Sequence, residues 1–279
     1  LVTHTSTHPE DSDLIMESLT NEISEFSLKP HIDINIQKKM FLGNSGIALF
    51  NSKILKEIPS PAKKISFCNH VLQNKINNKI RVFSYNTSEY IKDMGTEKRF
   101  NQVLIDIDNG DLVDRCYKKK QKCLFLDRDN TLITCPDNKY ITTHEQIRFK
   151  IKAIKLISQI RKDFDLTIII TNQPQISMGL ITWEKVNAIN TSILSKCLEL
   201  GLHIDALSIC PHHPHSGFKN EVKYLKVDCF CRKPRPGLIL KEAFLRNIDL
   251  EKSLLIGDSI NDELAAKNSG IKFLNVSEL

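Results

Sequence analysis

The sequence has 279 residues, of which 41% are hydrophobic and 26% charged, and it contains 10 Gly, 10 Pro and 8 Cys. This composition excludes a disordered chain, a collagen-like chain and a small disulfide-stapled domain, and the length predicts about two domains. The net charge of +6 is modest, so nucleic-acid binding is not indicated. No apolar run approaches the roughly 20 residues of a membrane-spanning helix, and no secretory signal is evident, so we expect a cytoplasmic protein without a membrane partner.

Residues 1–115 have an irregular pattern rich in Asn, Ser and Asp, and we predict short strand-like segments there, such as 80–84 and 102–107. The chain begins with Leu1 and not with Met, so we expect a fragment or a processed chain. The stretch 118–122 contains four lysines. It predicts a solvated linker, and a binding patch is the alternative.

Residues 122–279 alternate apolar strands with amphipathic helices. Strands are predicted at 123–126, 166–170, 204–209 and 254–256, and helices at 151–164, at 182–200, from Pro236 onward and at 261–269. Strands that alternate with helices of this length indicate right-handed crossovers and a parallel sheet. The predicted fold class is therefore α/β, with a doubly wound parallel sheet.

The strongest functional signal is the segment Phe-Leu-Asp-Arg-Asp-Asn-Thr-Leu at 125–132, which directly follows the first of these strands. Ligands of such sheets bind beyond the carboxyl ends of strands, so Asp127 and Asp129 would lie at the binding crevice. Two acids two residues apart can divide the work of a nucleophile and a general acid/base. The alternative is an acidic turn that caps the next segment.

Two later segments carry groups that suit a phosphate. Thr171 and Asn172 follow the second strand, where a hydroxyl and an amide can hold phosphate oxygens, although such residues are also common in loops. Arg232 and Lys233 form a cation pair near the start of the helix at Pro236, where charge and helix dipole both favour an anion. These four residues are predicted to bind substrate.

A third segment provides a metal ligand. Asp258 follows the strand at 254–256, and carboxylates from two strand ends can share one Mg²⁺, the usual partner of phosphoryl oxygens. Capping of a helix N-terminus is the alternative for Asp258 and for Asp262.

Taken in this order, the four segments resemble the haloacid dehalogenase-like phosphohydrolase superfamily across the predicted α/β domain. The resemblance implies a two-step phosphoryl transfer, in which Asp127 forms an aspartyl-phosphate while Asp129 protonates the leaving oxygen and then activates water. It also implies that Thr171 and Lys233 hold phosphoryl oxygens. The implied ligands of Mg²⁺ are Asp127, the backbone carbonyl of Asp129, and Asp258.

A group of cysteine and histidine residues lies in the loop at 210–231. The candidate ligands are Cys210, His212, Cys229 and Cys231, which can close a tetrahedral structural Zn²⁺ site. Such a site would hold the loop that ends at Arg232 and Lys233. The alternatives are a disulfide or buried thiols beside a surface histidine, and His213 and His215 are spare ligands.

The Cys-Pro-His-His-Pro and Cys-Phe-Cys-Arg-Lys-Pro phrases look like those of D-glycero-D-manno-heptose 1,7-bisphosphate 7-phosphatases and the related histidinol-phosphate phosphatases. Ile176 and Gly179 fall where the heptose enzymes have these residues. The sequence departs from the family at Asn130, where Gly is usual, and at Pro174 and Gln175, where small residues are usual. The resemblance implies a small phosphorylated sugar as substrate, with histidinol phosphate as the alternative. An inactive fold that only binds ligand fits poorly, because every catalytic position is filled.

Segments at 8–14, 26–30, 44–46 and 90–96 resemble, in order, the second half of sugar-phosphate nucleotidyltransferases. There Lys29 would match a sugar-phosphate-binding lysine and Asp93 a metal-binding aspartate. The family's Gly-rich nucleotide loop has no counterpart in this chain, so a structural platform is favoured over an active transferase. A transferase joined to a heptose phosphatase would catalyse neighbouring steps toward a nucleotide-activated heptose for lipopolysaccharide. The predicted organisation is this region at 1–115, a linker at 116–121 and the phosphatase domain at 122–279.

Overall fold

The computed structural model of the chain describes residues 1–31, 40–56, 67–72, 76, 80–135 and 140–279. It separates into two units, Leu1–Thr87 and Ser88–Leu279. This division differs from the predicted boundary at residue 115, because residues 88–115 belong to the second unit. Among the described helices, none is long and apolar enough to cross a membrane.

The first unit contains one five-stranded sheet in the order β3-β2-β4-β1-β5. Its strands are β1 (Val2–Thr5), β2 (Leu14–Glu17), β3 (Ile23–Ser27), β4 (Leu42–Asn44) and β5 (Tyr85–Asn86). The pairs are antiparallel except for β1 with β5. Alternate residues of β2 bury opposite faces, as the strand period of two requires, because Ile15 joins one apolar cluster and Leu14 another. Among the described residues of this unit, further regular elements are the 3₁₀ turn Pro9–Asp11, the helix α1 (Lys53–Lys56) and the π-helical turn Phe67–Leu72.

Helix α2 (Glu97–Asp108) shows that the strand predicted at 102–107 is wrong. Thr96 caps the helix by accepting a hydrogen bond from the backbone N–H of Arg99 at 3.3 Å. Asp106 faces inward from α2 and is buried. The apolar residues of this segment are compatible with a strand and with a helix. The cap at Thr96 and the buried side of α2 favour the helix. The short helix α3 (Asp111–Asp114) follows it.

The second unit is built on a five-stranded parallel sheet, which confirms the predicted α/β class. Its strands are β6 (Cys123–Leu126), β9 (Leu166–Asn172), β10 (Ala206–Cys210), β11 (Leu254–Gly257) and β12 (Lys272–Asn275). The spatial order is β10-β9-β6-β11-β12. The strand order reverses beside β6, and ligands of doubly wound sheets bind at such a switch point. The last strand was missed by the prediction, and a two-stranded ribbon of β7 (Ile133–Thr134) and β8 (Arg148–Phe149) was also missed.

Four helices connect these strands. They are α4 (Ile151–Ile160), α5 (Trp183–Glu199), α6 (Gly237–Arg246) and α7 (Ile260–Ser269). Right-handed crossovers place α4 and α5 on one face of the sheet and α6 and α7 on the other. The 3₁₀ turns are His144–Gln146, Arg161–Asp163, Lys223–Leu225, Leu250–Lys252 and Val276–Glu278. The helices begin and end within a few residues of their predicted positions, and Gly270 ends α7 with a φ of 76°.

The predicted linker at 116–121 is part of the second unit. Gln121 is fully buried, and its backbone N–H and C=O bond to Asn247 and Asp249 at 2.9 and 2.8 Å. The hydroxyl of Tyr117 accepts a hydrogen bond from Nη1 of Arg246 at 2.9 Å. The lysines indicated a solvated linker. The uncharged residues Tyr117 and Gln121, beside and between these lysines, form hydrogen bonds with residues 246–249 of the second unit.

Candidate active site

Three of the predicted site residues lie at the carboxyl ends of neighbouring parallel strands. Asp127 follows β6, Thr171 lies near the end of β9 and Asp258 follows β11. Since β6 lies between β9 and β11, the three positions meet at one edge of the sheet. The backbone N–H of Asp127 continues the pairing to the carbonyl of Ile256 at 2.9 Å, which extends the strand up to the carboxylate.

Lys233 reaches this edge from the loop before α6. Its Nζ lies 2.5 Å from Oδ1 of Asp127, 2.5 Å from Oδ1 of Asp262 and 3.1 Å from the carbonyl oxygen of Ile170. The side chain is buried. Burial opposes the charged form, but the two carboxylates outweigh it and raise the pKa of Lys233 above its usual range. The site therefore contains a fixed, desolvated cation beside the candidate nucleophile.

The carboxylates of Asp127, Asp258 and Asp262 outnumber the ammonium of Lys233, so this part of the site has an excess of negative charge. Burial raises the pKa of Asp127, Lys233 opposes this rise, and the carboxylates of Asp262 and Asp129 add to it. Carboxylate oxygens of Asp127, Asp258 and Asp262 all lie within 4.8 Å of one another. A cluster of hard oxygen ligands with surplus negative charge fits a divalent cation such as Mg²⁺.

Within this cluster, Asp262 is already bound through both oxygens. Oδ1 accepts from Lys233, and Oδ2 accepts from the backbone N–H and the hydroxyl of Ser259 at 3.1 and 2.5 Å. Asp262 and Ser259 form a capping box at the start of α7, so the predicted capping role for Asp262 is present together with an ion pair that was not predicted. Asp258 is half-buried and is the better placed of the two for a metal ion.

Asn172 contacts the backbone of Lys233. Its Nδ2 donates to the Lys233 carbonyl at 3.0 Å, and its Oδ1 accepts from the Lys233 N–H at 3.1 Å. These two bonds give Asn172 a positioning contact with Lys233, and its predicted direct contact with substrate stays a prediction.

Asp129 lies at the site with 26% of its side chain exposed. Its carboxylate accepts hydrogen bonds from the buried side chains of Arg128 and Gln173. Asn130 follows with a φ of 56°, in the left-handed region that Gly and Asn tolerate best. The departure from the family's Gly at this position therefore keeps the required backbone conformation.

The predicted Zn²⁺ ligands form a compact cluster, in which the four ligand atoms lie within 4.8 Å of one another. The sulfur atoms of Cys210, Cys229 and Cys231 are 3.2 to 3.4 Å apart, and Nδ1 of His212 lies 3.2 Å from Sγ of Cys231. These distances are too long for a disulfide, and the seven cysteines that the structure assigns as free include all three. Tetrahedral Zn²⁺ with three thiolates has S···S edges of about 3.8 Å, only a few tenths of an ångström longer.

Arg232 contacts the loop segment that carries His212 of this cluster. Its Nη1 donates to the carbonyl oxygen of His212 at 3.2 Å, so the guanidinium ties the second half of the loop to the first. The predicted contact between Arg232 and a phosphate stays a prediction beside this contact with the loop. The hydrogen bond of Cys210, followed by those of Cys229 and His212, lowers the pKa of the Cys231 thiol to about 5 despite burial. A thiolate is the form that binds a metal.

The loop that carries the cluster packs against the segment after Thr171. Gly179 has a φ of 70°, and a Cβ there would lie 1.8 Å from the backbone oxygen of Asn220. The backbone N–H of Val222 donates to the carbonyl of Ser177 at 2.9 Å. Gly179 is required for this approach, because any side chain would push the two loops apart.

The two residues of the nucleotidyltransferase comparison each bind a neighbour. Nζ of Lys29 donates to the carbonyl and a carboxylate oxygen of Asp11, both at 3.0 Å. Asp93 is exposed and pairs with Arg99 at 2.5 Å.

Sequence reasoning did not predict the contacts of three buried residues, Arg128, Gln173 and Asn190. The amide of Gln173 was expected to hold phosphate oxygens, and Arg128 lies inside the motif at 125–132 without an assigned role. Asn190 lies in the middle of α5 and belongs to no motif, so only the structure brings it to Arg128.

The chain is similar to known hydrolases and phosphatases. The profile of the haloacid dehalogenase-like hydrolases matches residues 219–276. The D-glycero-beta-D-manno-heptose-1,7-bisphosphate 7-phosphatase of Pasteurella multocida is 32% identical over 152 residues, which are 54% of this chain and 79% of that protein. The histidine biosynthesis bifunctional protein HisB of Campylobacter jejuni is 31% identical over 57% of this chain and 42% of its own length.

A solved structure is also similar. The D,D-heptose 1,7-bisphosphate phosphatase of B. bronchiseptica, complexed with magnesium and phosphate, is 27% identical, with a TM-score of 0.47 over 55% of this chain and 78% of that one. The parallel sheet and the residues at its carboxyl edge define a haloacid dehalogenase-like hydrolase. The chain belongs to this family, and within it to the phosphatases that include the Pasteurella multocida relative.

Proposed function

We propose that the chain hydrolyses D-glycero-D-manno-heptose 1,7-bisphosphate at the 7-phosphate through an aspartyl-phosphate on Asp127. The observation that carries the proposal is the meeting of Asp127, Asp129, Thr171 and Lys233 at the switch point of a parallel sheet. The relatives' names give the sugar, and the geometry supports the chemistry.

In the first step, Oδ1 or Oδ2 of Asp127 attacks phosphorus and the bond to the leaving oxygen breaks. Lys233 stabilises negative charge on the phosphoryl oxygens, and its fixed ammonium in a buried crevice needs little reorganisation. Thr171 accepts a hydrogen bond from Gln173 at 2.8 Å, and a hydroxyl that accepts in this way can donate its own hydrogen to a phosphoryl oxygen.

Asp129 provides the proton in this step. Its carboxyl group protonates the leaving oxygen, and the resulting carboxylate then takes a proton from the water that attacks phosphorus in the second step. The second step breaks the bond between phosphorus and Asp127 and restores both carboxyl groups. The partial exposure of Asp129 is consistent with access to substrate and water.

Asp127, Asp258 and the backbone carbonyl of Asp129 would hold Mg²⁺, which would offset the charge of the phosphoryl group. Asp262 would act in a different way, since both its oxygens are bound within the protein. It holds Lys233 against Asp127 and caps α7.

Cys210, His212, Cys229 and Cys231 would hold a structural Zn²⁺ that fixes the loop at 210–231. The support is the compact cluster of four ligands and the bond from Arg232 to His212. Because the same loop ends at Lys233, the metal would keep that ammonium in place.

Histidinol phosphate is the alternative substrate, and the similarity to the bifunctional histidine biosynthesis protein supports it. We propose that residues 1–87 are a structural platform that resembles a nucleotidyltransferase. The local pairing of Lys29 with Asp11 supports this role over a phosphate-binding one. A cytoplasmic location and a place in lipopolysaccharide synthesis are part of the same proposal.

The test is phosphate release in Mg²⁺, measured side by side on heptose bisphosphate and histidinol phosphate. We expect kcat/KM to favour the heptose bisphosphate, and a preference for histidinol phosphate would overturn the proposed substrate. Asp127→Asn should retain less than about a hundredth of the activity, as for the loss of a covalent nucleophile. Greater retention in a folded variant would contradict the mechanism.

A further inference from the structure

The carboxylate of Asp129 is held by two buried side chains. Nε and Nη2 of Arg128 donate to Oδ1 at 3.1 and 2.8 Å, and Nη2 also lies 3.0 Å from Oδ2. Nε2 of Gln173 donates to Oδ2 at 2.7 Å. A carboxylate has about four acceptor sites, and these groups bring three N–H donors, because Nη2 directs its other hydrogen to Gln173. The thiol of Cys135 is a further hydrogen-bond partner of Asp129, and Arg128 supplies two of the three N–H donors.

Arg128 is too deeply buried to bind substrate, since only 1% of its surface is exposed. Its Nη1 donates to Oδ1 of Asn190 at 2.9 Å, and the other hydrogen of Nη2 is donated to Oε1 of Gln173 at 2.7 Å. The guanidinium is planar and rigid, so acceptors on three residues fix its orientation. Asn190 is fully buried in α5, and this helix therefore anchors the arrangement.

Gln173 extends the arrangement to the phosphate site. Its Oε1 accepts from Arg128 and from Nε2 of Gln175, which turns its own Nε2 toward Asp129 and Thr171. One amide thus sets the orientation of both the proposed proton donor and the proposed phosphate-binding hydroxyl.

We infer that Arg128, anchored by Gln173 and Asn190, is a positioning residue that fixes the carboxyl group of Asp129 for proton transfer to the leaving oxygen. The inference rests on the proposed function, in which Asp129 is the general acid. When Asp129 is displaced, the leaving oxygen must depart without a proton. This slows transfer from a sugar phosphate, whose alkoxide is a poor leaving group, far more than transfer from 4-nitrophenyl phosphate, whose phenolate leaves readily.

The experiment measures kcat/KM, which reports the first phosphoryl transfer, for heptose bisphosphate and for 4-nitrophenyl phosphate. In Arg128→Lys, a point charge replaces the planar fork. We expect a loss of about 100-fold on the sugar phosphate, the scale of general acid catalysis, and less than about 5-fold on the aryl phosphate. Asn190→Ala keeps the guanidinium but removes its anchor, and we expect a selective loss of about 10-fold.

Arg246→Lys is the matched control. Arg246 is also a buried arginine, bound to Glu242 at 2.8 Å, but it belongs to a network away from the described site. Its replacement should lower the stability of the protein. It should change kcat/KM by the same factor for both substrates. This comparison separates loss of positioning from loss of fold.

Asp129→Asn separates the inference from the function on which it rests. Asp129→Asn should show the largest selective loss, and equal losses on both substrates there would refute the general acid role itself. If Asp129→Asn is selective but Asn190→Ala and any folded Arg128→Lys protein lose activity equally on both substrates, the positioning role is wrong. If Arg128→Lys does not fold, Asn190→Ala alone decides.

Discussion

The side-chain amide of Asn172 forms two hydrogen bonds with the backbone of Lys233, one as donor at 3.0 Å and one as acceptor at 3.1 Å. Asn172 ends β9, so the sheet directly fixes the backbone that carries the buried ammonium. The side chain of Lys233 is then held at its tip by Asp127 and Asp262. Both the backbone and the ammonium group of Lys233 are thus held in place by the protein itself, before a phosphate binds.

We expect Asn172→Ala to lower kcat/KM by up to about 100-fold, because a displacement of Lys233 by a fraction of an ångström weakens charge stabilisation of the phosphoryl group. Steady-state kinetics on the sugar bisphosphate measures the effect. Asn268→Ala is the control, since Nδ2 of Asn268 donates to the carbonyl of Pro234 at 3.0 Å from an exposed position on α7. Equal losses in the two variants would show that Asn172 has no special role.

Zinc removal should loosen the loop that ends at Lys233. A strong chelator is expected to lower the thermal stability of the phosphatase unit, to raise KM and to lower kcat, and Mg²⁺ alone should not restore them, because a closed zinc site contributes folding free energy. Cys229→Ser should reproduce these effects. Metal analysis, thermal unfolding and kinetics together measure them.

Cys116→Ser is the control for the zinc experiment, because Cys116 is a half-buried cysteine outside the cluster. It should retain zinc and activity. Well under one zinc per chain in the purified protein, with full activity in Mg²⁺, would contradict the structural role of the metal.

The sequence motifs predicted most of the residues that meet at the site, because parallel strands bring their carboxyl ends to one edge. Asp127, Thr171 and Asp258 each lie near or just after the end of a strand, so local pattern was sufficient. The ligands of the Cys/His cluster were likewise predicted from spacing. The contact of Asn190 with Arg128 could not be predicted, because the sequence around a helix position does not indicate which distant side chain it will contact.

The wrong prediction at 102–107 has a similar physical cause. The segment 102–107 is equally compatible with a strand and with a helix, and the cap at Thr96 with the buried side of α2 decides between them. The contact between the guanidinium of Arg232 and the carbonyl of His212 could not be predicted, because it depends on the folded loop. The phosphate contact that residue type indicated for Arg232 stays a prediction.

Asp205 should make stability depend on acid. Burial by itself would raise the pKa of Asp205, but the hydrogen bond and charge of His203 and the guanidinium groups of Arg115 and Arg161 outweigh it and lower the pKa to about 2. The folded pKa lies below the ordinary value of about 3.9, so the ionised form stabilises the fold above about pH 4. This stabilisation is lost as the pH falls from about 4 to about 2.

We therefore expect Asp205→Asn to lower the free energy of unfolding by about 2 kcal/mol near neutral pH, with the deficit relative to the parent shrinking toward about pH 2. Denaturant titrations across this range measure it. Asp228→Asn is the control, because Asp228 forms an exposed pair with Arg235 and should change stability by less than about 1 kcal/mol. A deficit for Asp205→Asn that stays constant with pH would disprove the assignment.

Residues 88–115 complete the polar interior of the phosphatase unit. Nη2 of Arg115 donates to Oδ1 of the buried Asp205 at 2.8 Å, and its Nε donates to the carbonyl of Ser88 at 3.1 Å. The hydroxyl of Ser88 accepts from Nη1 of the buried Arg246 at 2.8 Å. A domain cut at the predicted boundary would leave two buried charges without these partners.

We expect a chain of residues 116–279 to unfold about 4 to 8 °C below a chain of residues 88–279, since the loss of the Arg115 and Ser88 contacts should cost about 2 kcal/mol and each kcal/mol shifts Tm by about 2 to 4 °C. Thermal unfolding of the two chains measures the difference. The kinetic constants of the longer chain are the reference for those of the shorter chain, because both chains contain the predicted catalytic residues. Equal melting temperatures would show that the phosphatase unit begins at residue 116 and that 88–115 only rest on its surface.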